Sequence, residues 1–257
     1  MLLNHFKLSY LAIKVGILYN FRMKNKAPDT AVILAGGKGT RIKSVYPDLP
    51  KPLIPIAAKP FLRWQIEFLR KFGISRVVLS LGYMSEKIIN YFTKHPVEGV
   101  EIIFATEDKP LGTGGAVRYV AKRYDIGRAF VLNGDSFCPA DLTCSASVGE
   151  CKAAILVSKK EDVSDYGTVI TDENDGIIEF IEKGKNKGEG WVNAGIYLID
   201  MNWAKEWEEK TPLSIENEVF PKLSSDELKV WRTNVPFLDI GVPDRLEQAE
   251  EFLKNWE

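Results

Sequence analysis

Histidine is almost missing from this sequence: His5 and His95 are the only two among 257 residues. Both stand away from every motif described below, which argues against a serine–histidine relay or a histidine-rich metal centre. Cysteine is scarce too. Cys138, Cys144 and Cys151 are odd in number and show no C-x-x-C spacing. They suit neither a disulfide scaffold nor a zinc site, and they fit incidental thiols in a reducing cytoplasm. No sign of charge dominates, because 34 basic and 35 acidic residues leave a net charge of −1. Binding to nucleic acid or an anionic membrane through bulk charge is therefore not expected. Long apolar runs are also lacking. The mostly apolar stretch from Leu8 to Phe21 is broken by Lys14. It falls short of the roughly 20 residues that a membrane span needs, and no small-residue cleavage site follows it. Met23 is the expected true start, which makes residues 1–22 an extension. Residues 23–257 then form one domain, with no internal repeat or linker.

What is present is the material of a large α/β domain, 45% hydrophobic and 27% charged. The most informative stretch is AVILAGGKGTRIKSVYPDLPKPL, from Ala31 to Leu53. Ala31 to Leu34 read as a buried strand, and Ala35-Gly36-Gly37 break it into a glycine-rich loop that runs through Gly39 and Thr40 to Arg41. Glycines at a strand end let backbone N–H groups approach a phosphate unobstructed. Arg41 and Lys51 add two cations, and Pro50 and Pro52 stiffen the chain around the lysine. A plain βα turn explains the glycines but not the two cations. The dinucleotide fingerprint fails because its third glycine would fall on Ile42, and no Gly-Lys-Ser/Thr follows for a Walker loop.

Downstream, strand and helix alternate. A helix is expected over Phe61 to Phe72, stopped by Gly73, then a strand over Val77 to Leu81. A second helix over Glu86 to Thr93 is expected to be capped by Ser85. A strand from Glu101 to Ala105, a helix opened by Gly112 to Gly115 and a strand from Ala129 to Leu132 follow. Such units build a Rossmann-like three-layer sandwich around a mostly parallel sheet, whose ligands bind beyond the carboxyl ends of the strands. The second half changes to strands joined by turns: Ala153 to Ser158, Gly167 to Thr171, Gly176 to Ile181 and Trp191 to Ile199. These predict an antiparallel extension. Trp203 and Trp207, at i and i+4, read as packing residues. Strands around Val230 and Phe237 precede a final helix with Leu246, Ala249, Phe252, Leu253 and Trp256 on one face.

The pattern G-G-x-G-T-R, eight residues, P-K resembles the signature of the sugar-phosphate nucleotidyltransferases. The successive motifs Asn133-Gly134-Asp135, Tyr166-Gly167, Phe180 to Lys183, Val192 to Gly195 and Asp239-Ile240-Gly241 extend the likeness nearly to the C-terminus. The resemblance implies the nucleotide-diphospho-sugar transferase fold. It also implies a reaction in which a sugar 1-phosphate oxygen attacks the α-phosphorus of a nucleoside triphosphate and displaces pyrophosphate. That nucleophile is already an anion, so the chemistry needs positioning, cations and a metal rather than a general base.

By the same likeness, Arg41 meets the β,γ-phosphates, Lys51 the α-phosphate and Lys183 the sugar phosphate. Leu34, Ala35, Gly36, Gly37, Gly39, Thr40, Gly82, Gly112 and Thr113 would form the nucleotide site. Asn133, Gly167, Glu182 and Asn193 would hold the sugar. Asp135 and Asp239, each a lone acid at an apolar strand end, would seat Mg²⁺. Glu182 and Lys183 are neighbours and would face opposite ways in a regular strand, so one of them is expected to be structural unless the strand ends or bulges there.

A narrower likeness lies in Ser44 to Lys51, Lys59 to Leu62, Leu79 to Tyr83, Pro110 to Ala116 and Ser214 to Pro221. These segments are similar to the bacterial D-glycero-α-D-manno-heptose 1-phosphate guanylyltransferases, which serve surface polysaccharide and S-layer glycan synthesis. The partners implied are GTP and a heptose 1-phosphate. Three alternatives stay open: a uridylyltransferase acting on an N-acetylated sugar 1-phosphate, a silent nucleotide-sugar-binding subunit, and a dinucleotide-dependent oxidoreductase. The sequence does not decide whether the chain self-associates.

Overall fold

The computed structural model describes residues 28–164, 166–181 and 184–256. The expectation for residues 1–22, and those for Glu182 and Lys183, therefore lie outside the described residues. Four parallel strands form the heart of the sheet: β1 (Thr30–Leu34), β4 (Arg76–Leu81), β5 (Glu101–Thr106) and β6 (Arg128–Asn133). Between β1 and β4 come a two-residue pair, β2 (Pro55–Ile56) and β3 (Lys59–Pro60), and the helix α1 (Phe61–Lys71). The helices α2 (Ser85–Lys94) and α3 (Gly112–Arg123) make the next crossovers.

The chain lays β4 and β5 on one side of β1, then returns to place β6 on the other, giving the order β6-β1-β4-β5. Adjacent crossovers leave in opposite directions at β1 and β6, and a crevice opens there between the loops. At that point Leu34 pairs with Asn133, and Gly134 N–H donates to the Leu34 carbonyl at 3.0 Å.

Beyond β6 the sheet turns antiparallel, as expected. The long strand β11 (Gly190–Asp200) runs against β6, β8 (Ala153–Lys160) and β9 (Thr168–Thr171), and β10 (Ile177–Ile181) runs against β9. The strand β12 (Leu228–Thr233) returns parallel to β8. A second two-stranded ladder joins β7 (Ser136–Phe137) to β13 (Leu238–Asp239).

Side-chain alternation along β1 divides the core. Ala31 and Ile33 enter one apolar cluster with Phe61, Phe68, Ile88 and Leu253, while Val32 enters another with Val117, Val120, Met201 and Phe220. The helices α1, α2 and α5 (Asp244–Trp256) therefore cover one face, and α3 and the short α4 (Met201–Ala204) cover the other. Trp203 and Trp207 pack edge to face at 4.9 Å, consistent with a structural role.

One expectation fails. Ser85 does not cap α2: the preceding Met84, at φ 55°, takes the capping position, and no side chain accepts a bond there. The left-handed turn at Met84 draws Ser85 into the helix itself.

Candidate active site

The glycine-rich loop folds back on its own lysine. Gly39 adopts φ +56°, and a Cβ there would lie 3.1 Å from the Lys51 Cβ. Thr40 to Ile42 form a single 3-10 turn, and Lys51 opens a second. Together with the ends of β1 and β6 and the start of α3, the loop bounds a cavity of about 670 Å³. Leu34, Ala35, Gly36, Gly37, Gly39, Thr40, Arg41, Lys51, Gly112 and Thr113 all line it. Gly82 does not. It packs behind Gly36, where a Cβ would come within 2.9 Å of the Gly36 carbonyl.

A second cavity of about 620 Å³ lies on the antiparallel side. Gly167, Asn193, Tyr166, Ile181, Phe237, Glu216 and Asp239 line it. Asn133 and Asp135 belong to both linings, so the two cavities meet at the end of β6.

Two devices hold that meeting point. Gln65, fully buried on α1, donates its side-chain amide to the carbonyls of Asn133 and Ser136, both at 2.8 Å. The β7–β13 ladder sets Asp239 opposite Ser136, and Ile240 N–H donates to the Asp135 carbonyl at 2.9 Å. Two carboxylates more than a hundred residues apart in sequence thereby share one rim.

Each is already paired with a cation. Lys51 Nζ donates to Asp135 Oδ2 at 2.6 Å, with the lysine side chain only 10% exposed. Arg245 Nη1 donates to Asp239 Oδ2 at 2.7 Å. Gly241 closes the rim: a Cβ there would sit 2.6 Å from Asp239 Oδ1 and 3.5 Å from Arg41 Nη2. No group of three or more His, Cys, Asp or Glu side chains that could hold a metal occurs among the described residues. Two carboxylates with room for phosphate oxygens nevertheless suit Mg²⁺, which keeps several water or phosphate ligands.

Three polar residues without an assigned role in the sequence reading become prominent. Glu107 follows β5, and its Oε1 lies where a Cβ on Gly36 or Gly82 would approach to 2.8 Å. Its Oε2 accepts the Leu111 N–H at 3.3 Å, and burial raises its pKa above the usual carboxylate value. It lines the first cavity.

Glu216 lines the second cavity, and its Oε1 accepts the Tyr197 hydroxyl at 2.9 Å. Tyr197 is fully buried. That burial, reinforced by the Glu216 charge, pushes its pKa far up and keeps it a neutral phenol. The phenol oxygen accepts the side-chain amides of Asn193 at 3.0 Å and Asn133 at 3.4 Å. Asn193 Oδ1 is in turn taken by Gly195 N–H at 2.8 Å. Asn193 can therefore offer a ligand its remaining amide hydrogen and the second lone pair of Oδ1. Thr113 is similarly committed, since its hydroxyl accepts Ile215 N–H at 2.9 Å and donates to Glu216 at 3.1 Å. Its hydroxyl keeps one acceptor lone pair for a ligand.

Comparison with known proteins agrees with this geometry. The nucleotidyl transferase family matches residues 30–255. The D-glycero-α-D-manno-heptose 1-phosphate guanylyltransferase of Campylobacter jejuni is 38% identical over 83% of this chain and 95% of its own. The mannose-1-phosphate guanylyltransferase of Mycobacterium tuberculosis is 32% identical over 83% of this chain, which spans 61% of that longer protein. The crystal structure of HddC from Yersinia pseudotuberculosis in complex with GMP-PN superposes with a TM-score of 0.79. It is 34% identical, covering 87% of this chain and 99% of that one.

Proposed function

The chain belongs to the nucleotidyl transferase family and moves a nucleotidyl group from a triphosphate to a sugar 1-phosphate; from that premise we propose that it joins GTP to D-glycero-α-D-manno-heptose 1-phosphate. The observation that carries the reading is the pair of cavities sharing Asn133 and Asp135. One is walled by a phosphate-binding loop, the other by asparagines and carboxylates suited to sugar hydroxyls, and the chemistry belongs where they meet.

The triphosphate lies along Gly36 to Arg41, with Arg41 toward the β,γ-phosphates and Lys51 beside the α-phosphorus. The sugar occupies the second cavity against Asn133, Gly167 and Asn193. Lys183 and Glu182 follow Ile181, a lining residue, in the sequence, and the family resemblance assigns them to the sugar phosphate and hydroxyls. Asp135 and Asp239 would hold Mg²⁺, which when bound would supply charge neutralisation for the departing pyrophosphate. Lys51 leaves Asp135 for the phosphate as the acceptor oxygen advances. No residue must take a proton, since the attacking oxygen is already ionised.

Glu107 supports the choice of base. A carboxylate only accepts hydrogen bonds, and guanine alone presents two adjacent donors, N1–H and the exocyclic amine, on one edge. Uracil offers one donor between two acceptors, which a carboxylate repels. The manno configuration is supported by relatives that use heptose or mannose phosphates.

The deciding experiment measures kcat/KM for GTP, UTP, CTP and ATP against heptose, mannose and N-acetylglucosamine 1-phosphates by pyrophosphate release. GTP with the heptose phosphate should lead. A preference for UTP with the N-acetylated sugar would overturn the specific assignment.

A further inference from the structure

The acceptor cavity carries positive charge beyond what the reaction has used. Arg245 lies in the first turn of α5, where a cation opposes the helix dipole and is normally disfavoured. It is only 22% exposed, its guanidinium spans from Asp239 to the Tyr166 ring at 5.3 Å, and both of those residues line the cavity. Lys160, at the end of β8, places its ammonium 4.7 Å from the Phe237 ring and 5.0 Å from the Tyr166 ring. No carboxylate lies within salt-bridge reach of it among the described residues. Burial first, and then the nearby Arg245 charge, lowers its pKa. Neither cation is itself a lining residue: both stand behind Tyr166, Phe237 and Asp239, which are, so two mutually repelling, half-buried cations back one stretch of the cavity wall.

We propose that Arg245, assisted by Lys160, receives the phosphate of the acceptor sugar, and that its pairing with Asp239 is the resting arrangement of the free protein. The inference rests on the acceptor reading of the second cavity. In the free state each rim carboxylate holds one cation in store: Lys51 on Asp135 for the donor phosphate, Arg245 on Asp239 for the acceptor phosphate. When the carboxylates take a divalent cation, both side chains are released toward the phosphates. A salt bridge that merely pinned α5 to β13 would not need the second lysine, which has no carboxylate partner among the described residues.

The test is equilibrium calorimetry on the full chain with Mg²⁺ and a non-hydrolysable GTP analogue, without turnover. Mannose 1-phosphate and heptose 1-phosphate are the titrants, and mannose lacking phosphate is the control. Arg245→Gln should weaken the phosphorylated titrants about tenfold or more. It should not weaken the nucleotide and should leave the binding of free mannose unaltered. Lys160→Gln should act in the same direction more weakly, and Arg245→Lys should recover most of the loss. Unchanged affinity for the sugar phosphates, or equal weakening of nucleotide and acceptor, would overturn the proposal while the parent's own binding upheld the acceptor cavity. A parent protein that bound no sugar phosphate would overturn both.

Discussion

Lys51 is the single side chain on which turnover should depend most. It lies at the junction of the two cavities, nearly buried, with its ammonium preset 2.6 Å from Asp135. A preorganised cation that acts mainly as charge builds on the α-phosphorus affects kcat rather than binding. Lys51→Ala should therefore lower kcat by about 10²-fold or more with a smaller change in the KM for GTP, measured by pyrophosphate release from folded protein. An unaltered kcat would remove Lys51 from the chemistry. Glu107 makes a different prediction. Glu107→Gln places a donor against guanine N1–H and should cost roughly 1–3 kcal/mol in kcat/KM for GTP, while UTP gains or holds. Because burial raises the Glu107 pKa, the carboxylate protonates earlier than usual as pH falls. The KM for GTP should therefore rise on acidification in the parent, and this pH dependence should flatten in Glu107→Gln. Lys51 was legible in the sequence because a G-G-x-G-T-R loop and a Pro-flanked lysine carry their meaning locally. Glu107 and Gln65 were not. Glu107 looks like one acid in a charged turn and Gln65 like an ordinary polar helix position, and only the fold brings them to Gly36 and to the Asn133–Ser136 turn.

Among the elements, the segment around residues 211–219 is tied to the start of α3 by reciprocal bonds. Gly114 N–H donates to the Leu213 carbonyl at 2.8 Å, Leu213 N–H to Leu111 at 2.9 Å, and Ile215 N–H to the Thr113 hydroxyl at 2.9 Å. Gly112, at φ +76°, has no room for a side chain, since a Cβ would stand 2.5 Å from the Leu213 carbonyl. This clamp joins the donor wall to the acceptor wall, because the same Thr113 hydroxyl binds Glu216, which orders Tyr197 and the two asparagines. Thr113→Val keeps the shape but leaves Ile215 N–H unmatched and removes one of the two hydroxyls that donate to Glu216 Oε2. It should cost about 1–3 kcal/mol of stability by denaturant unfolding and raise the acceptor KM more than the nucleotide KM. Equal effects on both would mean that the clamp does not reach the sugar side. The long strands and helices were readable from hydrophobic period, often to within one residue. The two-residue strands β2, β3 and β7 were not, since they are too short for any period to register, and though a strand was expected around Phe237 its pairing with β7 was not. β7–β13 is nevertheless the ladder that sets Asp239 beside Asp135.

At the scale of the molecule, the site is divided between two halves of one sheet, a parallel half that bears the glycine-rich loop and an antiparallel half that bears the second cavity. The sequence announced both halves through its change from βα units to strands and turns. Their meeting at Asn133 and Asp135 depends on the return of the chain to the far side of β1, which no local pattern encodes. The rim carboxylates are also too few to hold a divalent cation alone: no set of three His, Cys, Asp or Glu residues that could do so exists among the described residues. Mg²⁺ affinity should accordingly be created by the nucleotide. Mg²⁺ must displace Lys51 and Arg245 from their carboxylates, and only phosphate oxygens both complete its coordination and receive the released cations. Calorimetry should register weak or no Mg²⁺ binding to the protein alone and clear binding once a non-hydrolysable GTP analogue is present. The same linkage predicts a thermal shift: Mg²⁺ and the analogue together should raise the melting temperature by more than their separate effects combined. In Asp135→Asn and Asp239→Asn the Mg²⁺-dependent part of that gain should shrink while the analogue alone still binds. Tight Mg²⁺ binding to the nucleotide-free protein would mean that the metal has a complete protein cage elsewhere, and the two-carboxylate rim would lose its role.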